Sequence, residues 1–168
     1  MATTKTRPTR FVEHASADIS ELLDHARPGH RQGHYYLALF GLRKYDPLHA
    51  VDQIQRGFSY SAFERFQRNT ELSLRLLAQI VEIPERTLAR RKAARRLSPE
   101  ESDRLARFSR VFARAIELFE GNPDAAREWL TKPVHALGGK EPLELTSTDA
   151  GAIEVERLIG RLEHGIPS

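Results

Sequence analysis

From Asp46 onward, apolar residues recur every three or four positions, which is the spacing of one face of an α-helix. The alternation with a period of two that is typical of a half-buried strand does not occur. The longest helical pattern lies between Ser98 and Gly121, and we interpret its apolar face as hydrophobic core rather than a cofactor site. The pattern therefore predicts an all-α protein. The apolar face of this longest helix consists of Leu105, Phe108, Val111, Phe112, Ala115 and Phe119.

Capping side chains and first-turn prolines mark where the helices begin. Asp46-Pro47 and Asn122-Pro123 each combine a capping side chain with a proline at the first helical position. Ser98 and Glu101 have the spacing of a capping box, in which each side chain bonds the backbone of the other residue. These signals divide the chain into short helices separated by tight connections. Further helix starts are predicted at Asp18 (paired with Glu21), Ser61 (paired with Glu64), Ser73 and Thr148.

The stretch 73–96, SLRLLAQIVEIPERTLARRKAARR, predicts two short helices joined by a tight turn. Proline is tolerated in the first turn of a helix and poorly inside one, so a new helix begins near Pro84. Leu88 is expected to face inward, with a basic face outward. This is the layout of a helix-turn-helix, whose second helix lies in the DNA major groove. The residues expected to point outward are Arg86, Arg90, Arg91 and Lys92.

An ordinary pair of amphipathic helices with a solvated basic face is the alternative interpretation of this stretch. Between Pro84 and Arg96, six basic residues oppose the single acidic residue Glu85, which favours DNA binding. One residue departs from the expected motif, because Glu82 occupies the turn position where glycine is usual. If its backbone is left-handed, a residue other than glycine costs about 1 kcal/mol there.

The distribution of charge indicates two partner surfaces. The formal net charge of the 168 residues is +3, but residues 46–116 carry 14 Lys and Arg against 9 Asp and Glu. Residues 117–168 carry 5 against 10, so the basic middle of the chain precedes an acidic end. Such an asymmetry suggests nucleic acid for one surface and a basic protein surface for the other.

The N-terminal part gives weaker signals. Residues 1–10 are polar and basic, and a floppy terminus is favoured over an arm that touches DNA phosphates. The apolar run Tyr35–Leu42 is too short to span a bilayer. We expect it to be buried as a short helix or strand, against the helix-turn-helix or beneath a second subunit of a homodimer. With no cysteine and no signal peptide in view, a cytoplasmic protein is expected.

Motifs of catalytic or cofactor chemistry are missing from the sequence. No phosphate-binding P-loop occurs, and Gly138-Gly139 lacks the third glycine and the preceding strand of a dinucleotide fingerprint. His25, His30 and His34 have no compact ligand spacing and no carboxylate cluster beside them. We therefore expect no catalytic residue, no cofactor, no metal and no enzymatic activity.

Two blocks of the sequence together resemble the Xre/MbcA/ParS antitoxins. Residues 57–121 are similar to the Xre-type helix-turn-helix portion of that family, with Glu82 as the main departure. Residues 122–165 are similar to the family's C-terminal toxin-binding domain and carry the more specific signal. The matching residues stand in family order: Trp129-Leu130, Pro133, the run Ala136–Gly139, Pro142-Leu143, Thr148 with Gly151, and Val155 followed by Leu158.

The resemblance implies an antitoxin of a type II toxin–antitoxin system. Such proteins block the active site of a RES-domain toxin that consumes or transfers parts of NAD⁺, and the complex represses its own promoter on double-stranded operator DNA. Residue by residue, it assigns Arg86, Thr87, Arg90 and Arg91 to the DNA-recognition helix. Together with the basic pattern, the predicted DNA-binding set is Arg86, Thr87, Arg90, Arg91, Lys92, Arg95 and Arg96. The family's C-terminal motif falls on Trp129, Leu137, Gly138, Pro142 and Leu143.

The end of the chain is a second candidate for contact with the toxin. Six extended residues, 163–168, reach about 20 Å, enough to enter an active-site cleft. The carboxylates of Glu163 and of the C-terminus at Ser168 would suit a site that binds the phosphates of a dinucleotide. A frayed terminus is the alternative. The tail residues assigned to the toxin interface are Glu163, His164, Gly165, Ile166 and Ser168.

These signals predict an N-terminal extension (1–45), an Xre-like helix-turn-helix domain (46–119) and a toxin-binding domain (120–168). A competing function is a stand-alone transcription regulator whose C-terminal part serves only dimerisation or another partner. A third is an interaction protein that has lost DNA binding, for which Glu82 is the argument. No membrane partner is expected.

Overall fold

The structure is a computed structural model that describes residues 17–26 and 34–165, and all statements on the fold concern these ranges. They contain no strand, only two isolated bridges between Ser59 and Arg96 and between Val134 and Lys140. The predicted all-α class is confirmed. The α-helices are α1 (Ala17–Ala26), α2 (Pro47–Arg56), α3 (Tyr60–Thr70), α4 (Leu74–Ile80), α5 (Glu85–Ala94), α6 (Pro99–Leu118), α7 (Pro123–Leu130), α8 (Pro142–Leu145) and α9 (Asp149–Glu163), with 3₁₀ helices at Tyr35–Phe40 and His135–Leu137.

Helix α6 is the centre of the fold, and α1, α2, α4, α7 and α9 all pack against it. Its predicted apolar stripe is buried as expected, except that Phe119 lies just beyond the helix and is only partly buried. Phe108 and Phe112 meet Phe66 of α3 edge to face, with ring centroids 6.1 and 6.4 Å apart. A single apolar cluster therefore joins the helices of the basic half to those of the acidic half.

The apolar run beginning at Tyr35 is a 3₁₀ helix buried within the chain itself. It packs against α1, α3 and α6, and Leu37 and Leu39 are fully buried. The ring of Phe40 stacks between Phe58 and Phe66 at centroid distances of 4.5 and 4.8 Å. Three helices of the same chain, α1, α3 and α6, therefore bury this segment, and its main contacts do not come from the predicted helix-turn-helix stretch 73–96.

Asp18 does not cap a helix, so that prediction was wrong. It lies inside α1 and is almost fully buried. Its carboxylate accepts hydrogen bonds from Arg65 at 2.6 and 2.8 Å and from the amide of Asn69 at 2.8 Å. Burial by itself would raise the pKa of Asp18, but these bonds and the charges of Arg65 and Arg43 outweigh burial and lower it. The residue ties α1 to α3.

Most of the predicted caps are confirmed. The side chains of Asp46, Ser73, Asn122 and Thr148 each accept a bond from a first-turn backbone N–H. Ser98 and Glu101 form the complete capping box.

One predicted cap was misplaced. Ser59, not Ser61, caps α3, because its carbonyl already accepts the helical bond from Phe63 N. The bond from Tyr60 N to Arg95 O fixes the chain where α3 begins.

No α-helix within the described ranges is long and apolar enough to cross a membrane.

Candidate functional site

Helices α4 and α5 form a helix-turn-helix in which residues 81–84 make the turn. Val81 and Ile83 point into the core and are almost fully buried, as is Leu88 of α5. Pro84 occupies the N-cap of α5 with φ −58°, so the second helix begins where the sequence predicts. The wedge between the two helices is thus filled by apolar side chains from the turn and from α5.

The turn adopts the left-handed backbone conformation at Glu82, with φ 54°. Backbone bonds close the end of α4, from Ile83 N to Ala78 O at 2.8 Å and from Glu82 N to Gln79 O at 3.1 Å. Arg104 of α6 donates from Nε to the backbone oxygen of Val81 at 2.8 Å, and this Nε lies 3.8 Å from the carboxylate of Glu82. The turn keeps its shape without glycine because α6 supports it.

The outward face of α5 carries Arg86 and Arg90, which lie one helical turn apart and opposite the buried Leu88. Both arginines are exposed. Neither makes an ion pair or hydrogen bond through its side chain with another residue of the described ranges. Two cations on an exposed helix face, with no internal carboxylate to neutralise them, are what a DNA-contacting helix requires.

Arg91 does not belong to this face, and its predicted outward orientation was wrong. Its Nε donates to both carboxylate oxygens of Glu101, at 2.9 and 2.8 Å. The side chain of Arg91 is 24% exposed and that of Glu101 only 7%. The two residues are ten positions apart on different helices, so helical periodicity within α5 alone could not reveal the contact.

The remaining predicted DNA-binding residues occupy the flanks and the end of α5. Lys92 Nζ lies 3.7 Å from a carboxylate oxygen of Glu64, and Arg95 ends the helix in the left-handed conformation. Arg96 donates from Nη1 to two backbone oxygens of the α2 terminus, both at 2.9 Å, so it has a structural role. Thr87 is half-buried in the first turn.

The loop between α7 and α8 carries part of the predicted toxin-binding motif. Val134 and Lys140 form an isolated bridge, and Gly138 and Gly139 turn the chain between them with φ 68° and 76°. A Cβ at either glycine would meet open space, so the glycines serve the backbone conformation rather than a close approach. Leu137, at the base of the turn, is half-buried.

Other motif residues divide between core and surface. Pro142 is buried at the start of α8, whereas Leu143 is half-buried. Trp129 is also half-buried and packs on Phe119 with ring centroids 6.3 Å apart.

Between α8 and α4 lies an open groove of about 330 Å³. Its lining includes Leu76, Ile80, Leu143 and Glu144.

Close packing of the backbone explains why position 151 is a glycine. A Cβ at this position would lie 2.1 Å from the backbone oxygen of Leu145, which no side chain can tolerate. The same residue donates its N–H to the capping hydroxyl of Thr148 at 3.1 Å. The α8–α9 connection therefore needs glycine for its close approach.

Glu163 is held inside the fold, which contradicts its expected role in a free tail. Its carboxylate accepts a bond from Nη2 of Arg114 at 2.9 Å, and both side chains are less than one-fifth exposed. A carboxylate engaged in this way cannot reach into a partner's cleft without breaking the pair. His164 and Gly165 follow the helix and are exposed. Ile166 and Ser168 lie outside the described residues.

Two family models match the chain, one for each half. The Antitoxin Xre-like helix-turn-helix domain matches residues 49–110, and the Antitoxin Xre/MbcA/ParS C-terminal toxin-binding domain matches residues 114–165. Antitoxin Xre of Yersinia enterocolitica serotype O:8 is 40% identical over 117 residues, which cover 69% of this chain and 79% of the relative. The chain belongs to the Xre/MbcA/ParS antitoxin family.

Further relatives support the assignment. Antitoxin Xre of Photorhabdus laumondii is 36% identical over 123 residues, which cover 73% of this chain and 75% of the relative. The chain is also similar to the Prs ADP-ribosylating antitoxin of a Sphingobium species, at 24% identity over 156 residues. That match covers 88% of this chain and 98% of the relative. The protein is therefore an antitoxin of a toxin–antitoxin system that carries a helix-turn-helix domain.

The structure adds residues to the antitoxin's DNA-binding half that the sequence interpretation did not include. Glu101 appeared only as a capping residue, although it also binds Arg91, and Arg104 was not singled out. Both belong to α6, outside the helix-turn-helix itself. The position of Arg91 three residues after Leu88 indicates that its side chain lies on the same side of α5 as Leu88, but it does not indicate Glu101 as the partner.

A cleft between α6, α9 and the 3₁₀ helix at Tyr35–Phe40 combines cations with aromatic rings. Arg110 and Arg114 line it, but each faces a carboxylate, Glu156 at 2.5 Å from Arg110 and Glu163 at 2.9 Å from Arg114. Burial raises the pKa of Tyr36 to about 12. Arg110 and Arg114 are thus each paired with a carboxylate of the described part of the fold. No group of metal-binding side chains occurs in the described part of the chain.

Proposed function

We propose that this antitoxin binds and blocks the active site of a RES-domain toxin that consumes NAD⁺, and that it represses its own operon through α5. The observation that carries the proposal is the division of the antitoxin's surface. Arg86 and Arg90 are exposed on the recognition helix and have no ion-pair or hydrogen-bond partner among the residues that the structure describes. A loop segment of the family's toxin-binding domain is partly exposed elsewhere.

The DNA-binding half rests on the geometry of α5. Arg86 and Arg90 stand on the face opposite Leu88, where side chains of a recognition helix reach base edges or phosphates. Lys92 and Arg95, both exposed, add positive charge at the side and end of the helix. We propose that a homodimer places two copies of α5 in successive major grooves of an inverted repeat, with half-sites about one helical turn apart.

The toxin-binding half rests on the segment 129–143. Leu137, Gly138 and Leu143 present atoms to solvent, whereas Trp129 packs on Phe119 and Pro142 is buried. We assign direct contact to the first three residues and support of the loop to the last two. The excess of carboxylates in residues 117–168 would steer association towards a basic rim around the toxin's pocket.

The choice of an NAD⁺-consuming toxin has two supports. The first is the family resemblance of the C-terminal block. The second is the name of the Sphingobium relative, which refers to ADP-ribosylation, a reaction that uses NAD⁺ as the donor. His164 and Gly165, which are exposed after α9, remain part of the proposed interface together with Ile166 and Ser168, and Glu163 is removed from it. A cytoplasmic location is part of the proposal, since operator DNA is one of the proposed partners.

Co-expression with the product of the neighbouring gene tests both halves. We expect the two proteins to co-purify, the antitoxin to suppress NAD⁺ loss, and the complex to shift the promoter fragment in a gel. Leu143→Asp should release the toxin while leaving the DNA shift intact, and the double variant Arg86→Ala/Arg90→Ala should do the reverse. A promoter shift with no toxin partner and no effect on NAD⁺ would instead identify a stand-alone regulator.

A further inference from the structure

One buried carboxylate connects the start of α6 to the recognition helix. Glu101 is 5% exposed, and its Oε2 accepts a bond from Ser98 N at 2.7 Å, which completes the capping box of α6. The same carboxylate accepts the Nε–H of Arg91 at 2.8 and 2.9 Å. Glu101 therefore serves two elements at once.

The C-terminal end of helix α5 is held by Arg96 and by the bond from Tyr60 N to Arg95 O, but the body of the helix has few contacts that fix its rotation about its own axis. Among the residues of α5 only Leu88 is buried, so the body of the helix has one apolar contact with the core. Arg91 lies three positions after Leu88, so its bond to Glu101 holds the helix at a second point on the same side. The direction in which Arg86 and Arg90 point depends on this second point.

Arg91 is also poorly placed to bind DNA. Its Nε is engaged by a carboxylate that is itself almost fully buried, and a phosphate approaching Arg91 would meet the negative charge of Glu101. Removing Arg91 from the pair would leave that carboxylate buried without its cation, which is strongly unfavourable. The contact is therefore expected to persist when DNA is bound.

We propose that Glu101 and Arg91 are positioning residues that set the rotation of α5 on α6, and that Arg91 makes no contact with DNA. The proposal rests on the DNA-binding function proposed above for α5. It makes α6, which does not belong to the helix-turn-helix, a determinant of operator selectivity. Arg86 and Arg90 would contact the DNA, and the Glu101–Arg91 pair would fix the direction in which these two side chains point.

The substitution Glu101→Gln distinguishes a positioning role of Arg91 from direct contact with DNA, because the two roles predict opposite changes in the affinity for the operator. Glutamine still completes a capping box, so α6 keeps its N-terminus. If the pair aims α5, affinity for the operator falls by about tenfold, in the range for coupled neighbouring residues. If Arg91 instead binds phosphate, the loss of the neighbouring negative charge makes binding tighter. Glu100→Gln is the matched control, since it removes the same charge from an exposed neighbour.

Salt dependence gives a second readout that does not require Glu101→Gln to fold. Arg91→Gln should weaken operator binding while leaving the slope of log affinity against log salt unchanged. Arg90→Gln should lower that slope by about one if it contacts a phosphate, or reduce base preference if it reads a base edge. The double variant Arg91→Gln/Glu101→Gln should be no weaker than the weaker single variant.

Tighter binding by Glu101→Gln than by Glu100→Gln would overturn the proposal, as would a slope reduced by about one in Arg91→Gln. Circular dichroism and melting of each variant show that the fold is intact. If Arg86→Ala/Arg90→Ala also leaves operator binding unchanged, the proposed DNA-binding surface itself is wrong. These two failures are therefore distinguishable.

Discussion

Arg104 of α6 donates its Nε–H to the backbone oxygen of Val81, the C-cap of α4 and first residue of the turn of the helix-turn-helix, at 2.8 Å. A guanidinium at the C-terminal end of a helix satisfies an orphan carbonyl and complements the helix dipole. In this antitoxin the donor lies on another helix, 23 positions later in the chain. It explains how Glu82 can occupy a left-handed position without distorting the motif.

We expect Glu82→Gly to stabilise the antitoxin. Glycine removes the steric cost of about 1 kcal/mol for a side chain in the left-handed conformation, which corresponds to a melting temperature about 2–4 °C higher in a chain of this size. Loss of the 3.8 Å contact with Arg104 offsets little of this gain, because the Glu82 side chain is 61% exposed. Glu82→Ala is the control, since it removes the carboxylate but keeps the Cβ. Equal melting of the glycine and alanine variants would contradict the explanation.

Arg90→Ala should weaken operator binding by about 1–3 kcal/mol if its guanidinium reads a base edge. The physical reason is its exposed position opposite Leu88 with no carboxylate partner among the described residues. Arg157→Ala removes the same charge from an exposed site on α9 and should change operator affinity far less. Gel-shift titrations at several salt concentrations measure both effects, and equal losses in the two variants would remove α5 from the DNA surface.

Asp18→Asn should destabilise the fold by about 2 kcal/mol, because it leaves Arg65 and Asn69 without their charged acceptor. The wild-type pKa of Asp18 is lowered by folding, so its contribution is complete above about pH 4 and is lost as the pH falls through the lower folded-state pKa.

The stability of Asp18→Asn should accordingly depend less on pH below about 4 than that of the wild type. Urea titrations between pH 2.5 and pH 7 provide the comparison. Parallel curves for the two proteins would show that another carboxylate dominates the acid response.

Gly151→Ala should destabilise the antitoxin by about 1–3 kcal/mol, since its Cβ would overlap the backbone oxygen of Leu145. Gly160→Ala on the same helix meets no atom within 4 Å and should raise stability by up to about 1 kcal/mol through helix propensity. The opposite signs make the pair informative, and chemical denaturation measures both. If both variants are stabilised, α8 and α9 are not in the close contact described.

Glu163→Gln should leave toxin inhibition unchanged, because this carboxylate is held by Arg114 within the fold. Its melting temperature should fall by a few degrees at most, as for a partly exposed ion pair. A chain truncated after Gly165 removes only the last three residues and tests the chain end separately. If Glu163→Gln abolishes inhibition while the truncated chain still inhibits, the carboxylate must leave Arg114 and act in the toxin's site.

Local chemistry made much of this fold predictable. Caps such as Ser98 and Asn122 involve residues three apart, and the stripe of α6 repeats within one helix, so both are visible in the sequence. The side-chain pairs that position and support the recognition helix cannot be predicted from spacing in the sequence. Arg91 and Glu101 lie on different helices, and Asp18 meets Asn69 across 51 positions. Such contacts depend on how the helices cross, which no spacing rule specifies.

The two errors near helix starts have the same origin. Two serines precede α3, and a bond from Tyr60 N to Arg95 O, made by a distant part of the chain, determines that Ser59 is the cap. Asp18 has the spacing of a capping residue, but its side chain is buried and forms an ion pair with Arg65 of α3. For the C-terminal motif, the sequence indicated which residues matter to the family, and only the fold separated buried Pro142 from half-exposed Leu143.

The boundary between the two family domains, residues 111–113, falls within α6 and consists of three fully buried side chains, Val111, Phe112 and Ala113. A cut made there would expose the core of both halves, so neither should survive as a separately expressed fragment. Chimeras that exchange toxin specificity between relatives must therefore be joined elsewhere, or must carry the whole of α6 with its partners. Evolution of new toxin pairing would face the same restriction.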